Sequence, residues 1–312
     1  MPIEHRTIDA RATRIAIGQS IRRTVVVADA VLEPVLCALI VGGHALLEGV
    51  PGTGKTLLAR ALAATFAADF RRIQFTNDLM PGDIVGTAVW RPDLHRFTFI
   101  RGPLFANLVL ADEINRTSPR TLSCLLEAME DGHCTVEGRR LELGHPFTVL
   151  ATRNPIEFHG TFPLPEAALD RFLVCVELDY PDATAEIALY RERERERTLA
   201  EIAPILTTDD VLALGEQSRK VQVTPPLAEY AYRVVATTRN HPELALGASP
   251  RAAISWLAAG RARALLHGRD YVIPDDLKCL AVPVLAHRIF ARGDTATAAI
   301  VDEVIAAIQV PL

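Results

Sequence analysis

The chain is poor in cysteine and aromatics and has no excess of positive charge, and each shortage excludes a class of protein. Its five cysteines, Cys37, Cys124, Cys134, Cys175 and Cys279, are odd in number and scattered, with no C-x-x-C pair. That fits reduced thiols in a cytosol, not a disulfide framework or a structural zinc site. With 33 Lys+Arg against 38 Asp+Glu the net charge is −5. Binding of nucleic acid through bulk charge is therefore not expected, although a local basic patch stays open. The most apolar early run, Pro34 to Leu47, is broken by a His and two glycines and falls well short of the roughly 20 residues of a membrane span. The opening MPIEHRTIDARATR has no apolar centre like that of a signal peptide. A soluble, cytoplasmic protein is expected.

What is present is an ordinary globular composition. The apolar fraction of 49% is too high for a disordered chain of this charge. A length of 312 residues predicts about two domains. Short apolar runs bounded by turn residues recur at Ala45-Leu46-Leu47, Arg72 to Phe75, Leu108-Val109-Leu110, Phe147 to Leu150 and Phe172 to Val176, with helical patterns between several of them. Strands alternating with helices predict a parallel sheet covered on both faces. Residues 1 to about 43 read as helical, and Leu58, Leu62 and Phe66 mark a helix after a Gly-rich turn.

After about residue 181 the strand-like runs stop. Asp182 is a candidate cap for a helix reaching Leu199, and Ser249-Pro250 reads as a cap followed by Pro at the first helical position. Leu277, Leu280, Ala281, Val284 and Leu285 form one buried helix face, with Pro283 a candidate kink. The expected division is an α/β unit over 1–181, with its N-terminal helical segment, and an all-helical unit over 182–312. The tract RERERER, Arg191 to Arg197, reads as a solvated helix face, with a partner-binding patch as the second reading.

GVPGTGKT, Gly49, Val50, Pro51, Gly52, Thr53, Gly54, Lys55 and Thr56, matches G-x-x-x-x-G-K-[ST] between an apparent strand and a helix opened by Lys55, Thr56 and Leu57. The glycines let backbone N–H groups curl around a phosphate, and the helix N-terminus adds its partial positive charge. Lys55 would reach the outer phosphates and the Thr56 hydroxyl would coordinate Mg²⁺. Further on, LVLADE ends an apolar strand in two carboxylates at the carboxyl edge of the sheet, where open α/β sheets bind ligands. Asp112 is the candidate metal ligand and Glu113 the candidate that polarises an attacking water. A carboxylate in that place favours hydrolysis of a γ-phosphate over transfer to a small molecule.

From Leu46 to Phe172 the chain resembles the MoxR family of AAA+ ATPases. The stretches that carry the likeness are LLEGVPGTGKT, RIQFTNDLMPGDIVG, RGPLFANLVLADEINRTSPRTLSCLLEAMEDG and ATRNPIEFHGTFPLPEAALDRF, and later GASPRAAI and GRDYVIPDDL. The resemblance implies an AAA+ P-loop NTPase core with a five-stranded parallel sheet, a C-terminal helical lid, ATP as ligand and Mg²⁺ as cofactor. It puts Asn154 at sensor 1, Arg171 at the arginine finger offered to a neighbouring subunit, and Arg251 at sensor 2 over the phosphates of its own subunit. The plainer alternatives are a turn-forming Asn before Pro155, a local ion pair of Arg171 with Asp170, and a surface Arg251.

It also implies a homo-hexameric ring and a chaperone-like role in maturing or activating a partner, often with a protein carrying a von Willebrand factor A domain. Alternatives are the motor subunit of a metal (magnesium or cobalt) chelatase, a nucleic-acid motor, and a switch with little turnover. Thr87 to Phe105 resembles the insert of this clade within its second helix. Cys134 to Pro146 resembles a β-hairpin before sensor 1, turning near Glu137-Gly138. The helix before that hairpin opens at Ser118-Pro119, with Leu122, Leu125, Leu126 and Met129 as its core stripe. Two departures stand out: Arg153 where the family often has Gln, and VVVADAVLEP where V-x-G-Q is usual. The second leaves the adenine contacts unassigned.

Overall fold

The structure is a computed structural model that describes residues 8–154, 161–181, 183–191 and 199–311. The candidate cap Asp182 and the charged tract beyond residue 191 lie outside the described residues. Among the described residues no helix is long and apolar enough to cross a membrane.

The chain enters through α1 (Ala10–Arg22) and α2 (Asp29–Ile40), with a non-helical stretch around Val25 and Val26 between them. It then builds a parallel sheet from β1 (Ala45–Glu48), β3 (Phe70–Gln74), β6 (Leu108–Asp112), β9 (Thr148–Arg153) and β10 (Val174–Glu177). Their spatial order is β10-β1-β9-β6-β3. Every pairing is parallel, with Ala45 opposite both Leu150 and Val174, and Gln74 opposite Asp112. Side chains alternate between two cores as strand geometry requires. Ala45, Leu47, Leu110, Leu150 and Val174 face one, while Leu46, Val109, Ala111, Val149 and Ala151 face the other. Both faces are covered over the inner strands, which is why those read as continuous apolar runs, whereas edge strand β3 exposes Arg71, Arg72 and Gln74.

The first core holds α1, α2 and α3 (Lys55–Thr65). Leu58 and Leu62 are fully buried there, each worth roughly 1.5–3 kcal/mol relative to exposure. Phe66 departs from the helical expectation: it caps α3 in extended conformation and begins β2 (Phe66–Ala67), which pairs with β11 (Leu206–Thr207). An aromatic at a helix end gains more from that pairing than from another helical turn.

The second core lies under α5 (Pro119–Asp131). Ser118 caps this helix by accepting the Thr121 N–H at 3.3 Å, and Leu122, Leu125 and Met129 are buried on one face, with Leu126 half-buried. The segment around Thr87 to Phe105 is a hairpin of β4 (Gly86–Arg91) and β5 (Arg96–Arg101). Only the five-residue α4 (Pro81–Val85) precedes it, so the hairpin stands in place of most of a second helix. A second hairpin pairs β7 (His133–Val136) with β8 (Arg139–Glu142) through Glu137 and Gly138, at φ 48° and 76°, the conformation of a two-residue type I′ turn.

Past the short helices α6 (Glu166–Leu169) and α7 (Ala183–Arg191), the chain is helical apart from short strands: α8 (Thr208–Lys220), α9 (Pro225–Arg239), α10 (Pro250–Leu266), α11 (Pro274–Leu285) and α12 (Thr297–Ala307). β12 (Leu244–Leu246) and β13 (Phe290–Ala291) pair antiparallel. Ser249 caps α10 through the Ala252 N–H at 3.2 Å. In α11 the expected stripe from Leu277 to Leu285 is buried, and the helix runs through Pro283 to end two residues later.

α10 packs on α2, α8, α11 and α1. Buried Asp276 binds Arg263 at 2.7 Å and Arg269 at 2.6 and 2.7 Å, and Arg263 reaches Glu33 of α2 at 3.5 Å. His267 also bonds Glu33. Burial pushes the Asp276 carboxyl up, but the bonds from Arg269, the Ile273 N–H and Arg263 hold it below its usual range.

Candidate functional site

The carboxyl edge of the sheet gathers the first set of expected residues. Gly49 follows β1 at φ +147°, and a Cβ there would lie 2.4 Å from the Leu178 carbonyl, so no other residue fits. Gly54 caps α3 in the left-handed region with no side-chain hydrogen bond. A glycine at the cap leaves the start of the helix open to an anion, because it places no side chain over the first turn. Lys55 folds back so that Nζ donates to the carbonyls of Gly49 at 2.6 Å and Val50 at 2.8 Å. Thr53 closes the loop by donating to the Val50 carbonyl at 3.0 Å. Arg153 spans to Glu48, just before the loop, at 2.5 Å.

Asp112 ends β6 and is buried. Its Oδ2 accepts the Thr56 hydroxyl at 3.1 Å and its Oδ1 the Thr152 hydroxyl at 2.5 Å. Arg72 of β3 donates to the same Oδ2 through Nη2 at 2.6 Å and Nε at 3.2 Å. Glu113 leaves the strand at φ +59°, with its N–H on Thr152 Oγ1 at 2.8 Å and its carboxylate accepting from Gln74 at 3.0 Å. Arg116 pairs with it at 2.9 Å. Left-handed backbone at a non-Gly residue is sparsely populated and aims this side chain off the strand line. Asn154 is buried at the end of β9, and its carbonyl accepts from Asn115 at 3.3 Å.

Beside the loop lies a cavity of about 240 Å³, lined by Pro51 to Gly54, Leu57, Val25, Val26, Tyr180 and Tyr190. Pro181 and Glu186 complete the wall, which is otherwise largely apolar and aromatic, a lining suited to a planar base. Of these wall residues, only Pro51 to Gly54 and Leu57 were legible as part of the site. The signal was the Val25-Val26-Val27 run standing where the family's V-x-G-Q would be. Arg72, Gln74 and Thr152 were missed too, because they reach Asp112 and Glu113 from neighbouring strands and carry no local signature.

Arg171 and Arg251 lie elsewhere. Arg171 sits just before β10, where the Leu173 N–H donates to the His44 carbonyl ahead of β1. That is the amino edge, separated from the Gly-rich loop by the length of β1, roughly 13 Å at about 3.3 Å per residue. Arg171 pairs with Glu130 at the end of α5 at 2.5 Å, not with Asp170, the partner in the plainer alternative reading. Arg251 approaches the same Glu130 at 3.5 Å and Asp170 at 3.9 Å. Arg251 therefore stands beside Arg171 at the amino edge, on an α10 packed against α1 and α2.

Buried His44, half-buried His287 and an arginine fix this edge. His44 donates from Nε2 to the Met129 carbonyl at 2.9 Å and accepts the Val149 N–H at 3.0 Å; burial lowers it to about 4. His287 donates to the Phe172 carbonyl at 2.9 Å, and burial, helped by Arg288, lowers it to about 3. Arg288 donates to the Phe172 carbonyl at 2.8 Å and pairs with Asp170 at 3.1 Å. Burial brings Arg288 down to about 10, so it stays charged at neutral pH.

Comparison with known proteins agrees with this geometry. Residues 44–174 match the profile of the ATPase family associated with various cellular activities (AAA), and residues 236–307 match an AAA lid domain. The chain is 45% identical to the uncharacterized protein YeaC of Bacillus subtilis, over 89% of this chain and 88% of that one. It is 42% identical to the chaperone MoxR1 of Mycobacterium tuberculosis, over 91% and 76%, and 33% identical to protein MoxR of Paracoccus denitrificans, over 88% and 90%. A crystal structure of a candidate ATPase from Cytophaga hutchinsonii superposes with a TM-score of 0.89 at 34% identity, covering 97% of this chain and 96% of that chain.

Proposed function

We infer the working cycle of this protein from one premise: the chain belongs to the MoxR family of AAA+ ATPases and is itself an ATPase. The proposed function is Mg²⁺-dependent ATP hydrolysis in a closed homo-hexameric ring, coupled to remodelling or activation of a partner protein or enzyme complex in the cytoplasm. The observation that carries the ring is the separation of the two edges. Gly49 to Leu57, Asp112, Glu113 and Asn154 are at one edge and Arg171 and Arg251 at the other.

In this reading the loop N–H groups and Lys55 grip the triphosphate, with Lys55 exchanging its carbonyl partners for phosphate oxygens. Asp112 and Thr56 fit Mg²⁺: both offer hard oxygens, and the Thr56 hydroxyl already meets Asp112 Oδ2 at 3.1 Å. The metal supplies charge neutralisation across the outer phosphates. Glu113 takes a proton from the attacking water as the bond to the γ-phosphorus forms and the β–γ bridge breaks; Asn154 orients that water or the phosphate. Arg171 and Arg251 are both offered to the neighbour's nucleotide, since a guanidinium stays charged and forks onto phosphate oxygens. The unit over 1–181 carries the Gly-rich loop and the two carboxylates, and the unit from 182 adds Tyr190 to the pocket wall and sets the second arginine. A protein partner, such as one with a von Willebrand factor A domain, is favoured over nucleic acid by the net charge of −5.

Mixing tests the assignment. Arg171→Ala chains keep their own site, Glu113→Gln chains keep their arginine, and each alone is inactive. Mixed rings should recover activity at interfaces that pair the two intact halves. Inactivity in rings shown to be mixed overturns the sharing of Arg171.

A further inference from the structure

Asp112 divides its two oxygens. Oδ1 takes the Thr152 hydroxyl at 2.5 Å, and the Thr56 hydroxyl lies nearer Oδ2, at 3.1 Å, than Oδ1, at 3.4 Å. A cation held by Thr56 and Asp112 together would share Oδ2. That oxygen already has a cation on it, the guanidinium of Arg72, reaching it through Nη2 at 2.6 Å and Nε at 3.2 Å. The Asp112 side chain is 7% exposed and that of Arg72 is 48% exposed. Arg72 therefore comes in from the solvent side and can leave without unpacking the core. A buried carboxylate stripped of its partner costs several kcal/mol, so Asp112 needs positive charge both before and after a metal arrives.

We propose that Arg72 is the internal occupant of the metal seat: it neutralises Asp112 in the nucleotide-free chain and competes with the divalent cation for Oδ2. The proposal rests on the assignment of Thr56 and Asp112 to the metal. Arg72 acts through Asp112, so it is a positioning residue and not a catalytic one. Its Nη2 also donates to Gln74 Oε1 at 2.8 Å, and Gln74 in turn donates to Glu113 at 3.0 Å. Departure of Arg72 frees Gln74 from one of its two anchors, so arrival of the metal is felt at the carboxylate that faces the water.

The test uses the full chain, nucleotide-free and ADP-bound, titrated with Mn²⁺ alone while free Mn²⁺ is followed by electron paramagnetic resonance. Arg72→Ala and Arg72→Gln should bind Mn²⁺ about tenfold tighter than wild type without nucleotide, the effect of removing one charge-assisted pair. Arg72→Lys, which keeps the charge but not the fork, should fall between. A purely structural role predicts the opposite sign, because a loosened carboxylate binds metal more weakly. Equal or weaker Mn²⁺ binding in both neutral variants, with unfolding midpoints unchanged, overturns the proposal. Thr56→Ala separates the two layers. If it leaves Mn²⁺ affinity with ADP unchanged, the metal assignment itself fails. If it weakens binding while the Arg72 variants do not tighten it, only the competition fails.

Discussion

The two edges of the sheet use opposite strategies. At the carboxyl edge the chain presents backbone N–H groups and short side chains, Thr56, Asp112 and Glu113, all within a turn of a strand end. At the amino edge it presents long guanidinium side chains from distant segments, Arg171, Arg251 and Arg288, crowded onto Glu130 and Asp170. The first edge turns the start of α3 and the Lys55 ammonium toward one loop. The second is neutralised from within and held by the lid, through His287 and Arg288 on the Phe172 carbonyl. Under the proposed function, parts held at both edges would meet when two copies of the chain adjoin.

Breaking the carboxyl edge should give the largest effects. Lys55→Ala is expected to abolish nucleotide binding, measured by titration with a fluorescent ADP. Glu113→Gln should keep that binding and lose about 10²–10⁴ in turnover, read as phosphate release. At the amino edge, Arg251→Ala should keep nucleotide affinity and lose roughly 10–100-fold in turnover, consistent with one charge-assisted contact of about 1.5–3 kcal/mol. Mixing with Glu113→Gln chains should rescue it as it rescues Arg171→Ala; failure to rescue would return Arg251 to its own subunit.

The smallest effect concerns what anchors the amino edge. His44 titrates near 4 when folded against 6.5 when free. Between those values the unfolded chain binds the proton and the native one does not, so stability present above pH 6.5 is lost as pH falls toward 4. From pH 6.5 to 5 the loss is about 2 kcal/mol at roughly 1.4 kcal/mol per pH unit. His44→Gln keeps a donor for Met129 and an acceptor for Val149 without titrating. Urea midpoints at pH 7 and pH 5 should therefore differ less in this variant than in wild type.

How much of this was legible in the sequence follows from how local each signal is. The Gly-rich loop, Asp112 and Glu113 are contiguous motifs on a strand end, and the inner strands announced themselves because burial on both faces makes each a nearly unbroken apolar run, which edge strand β3 is not. Arg72, Gln74, Thr152 and Glu130 are contacts between elements, set by sheet order and register, and one chain read linearly does not disclose them. The surroundings of Arg251 were hidden for the same reason. Its motif fixes a helix start, but where that helix points is decided by packing of α10 on α1 and α2. Phe66 shows the local counterpart, a residue at helical spacing captured by a strand partner from Leu206.

The tie between Glu33 and the pair Arg263 and His267 has a mechanical consequence. It bolts the helical bundle to the first helices of the chain, so the bundle is not a hinged flap free to shut over the base. In the proposed ring, a stroke accompanying hydrolysis would then be taken up at the seams between protomers.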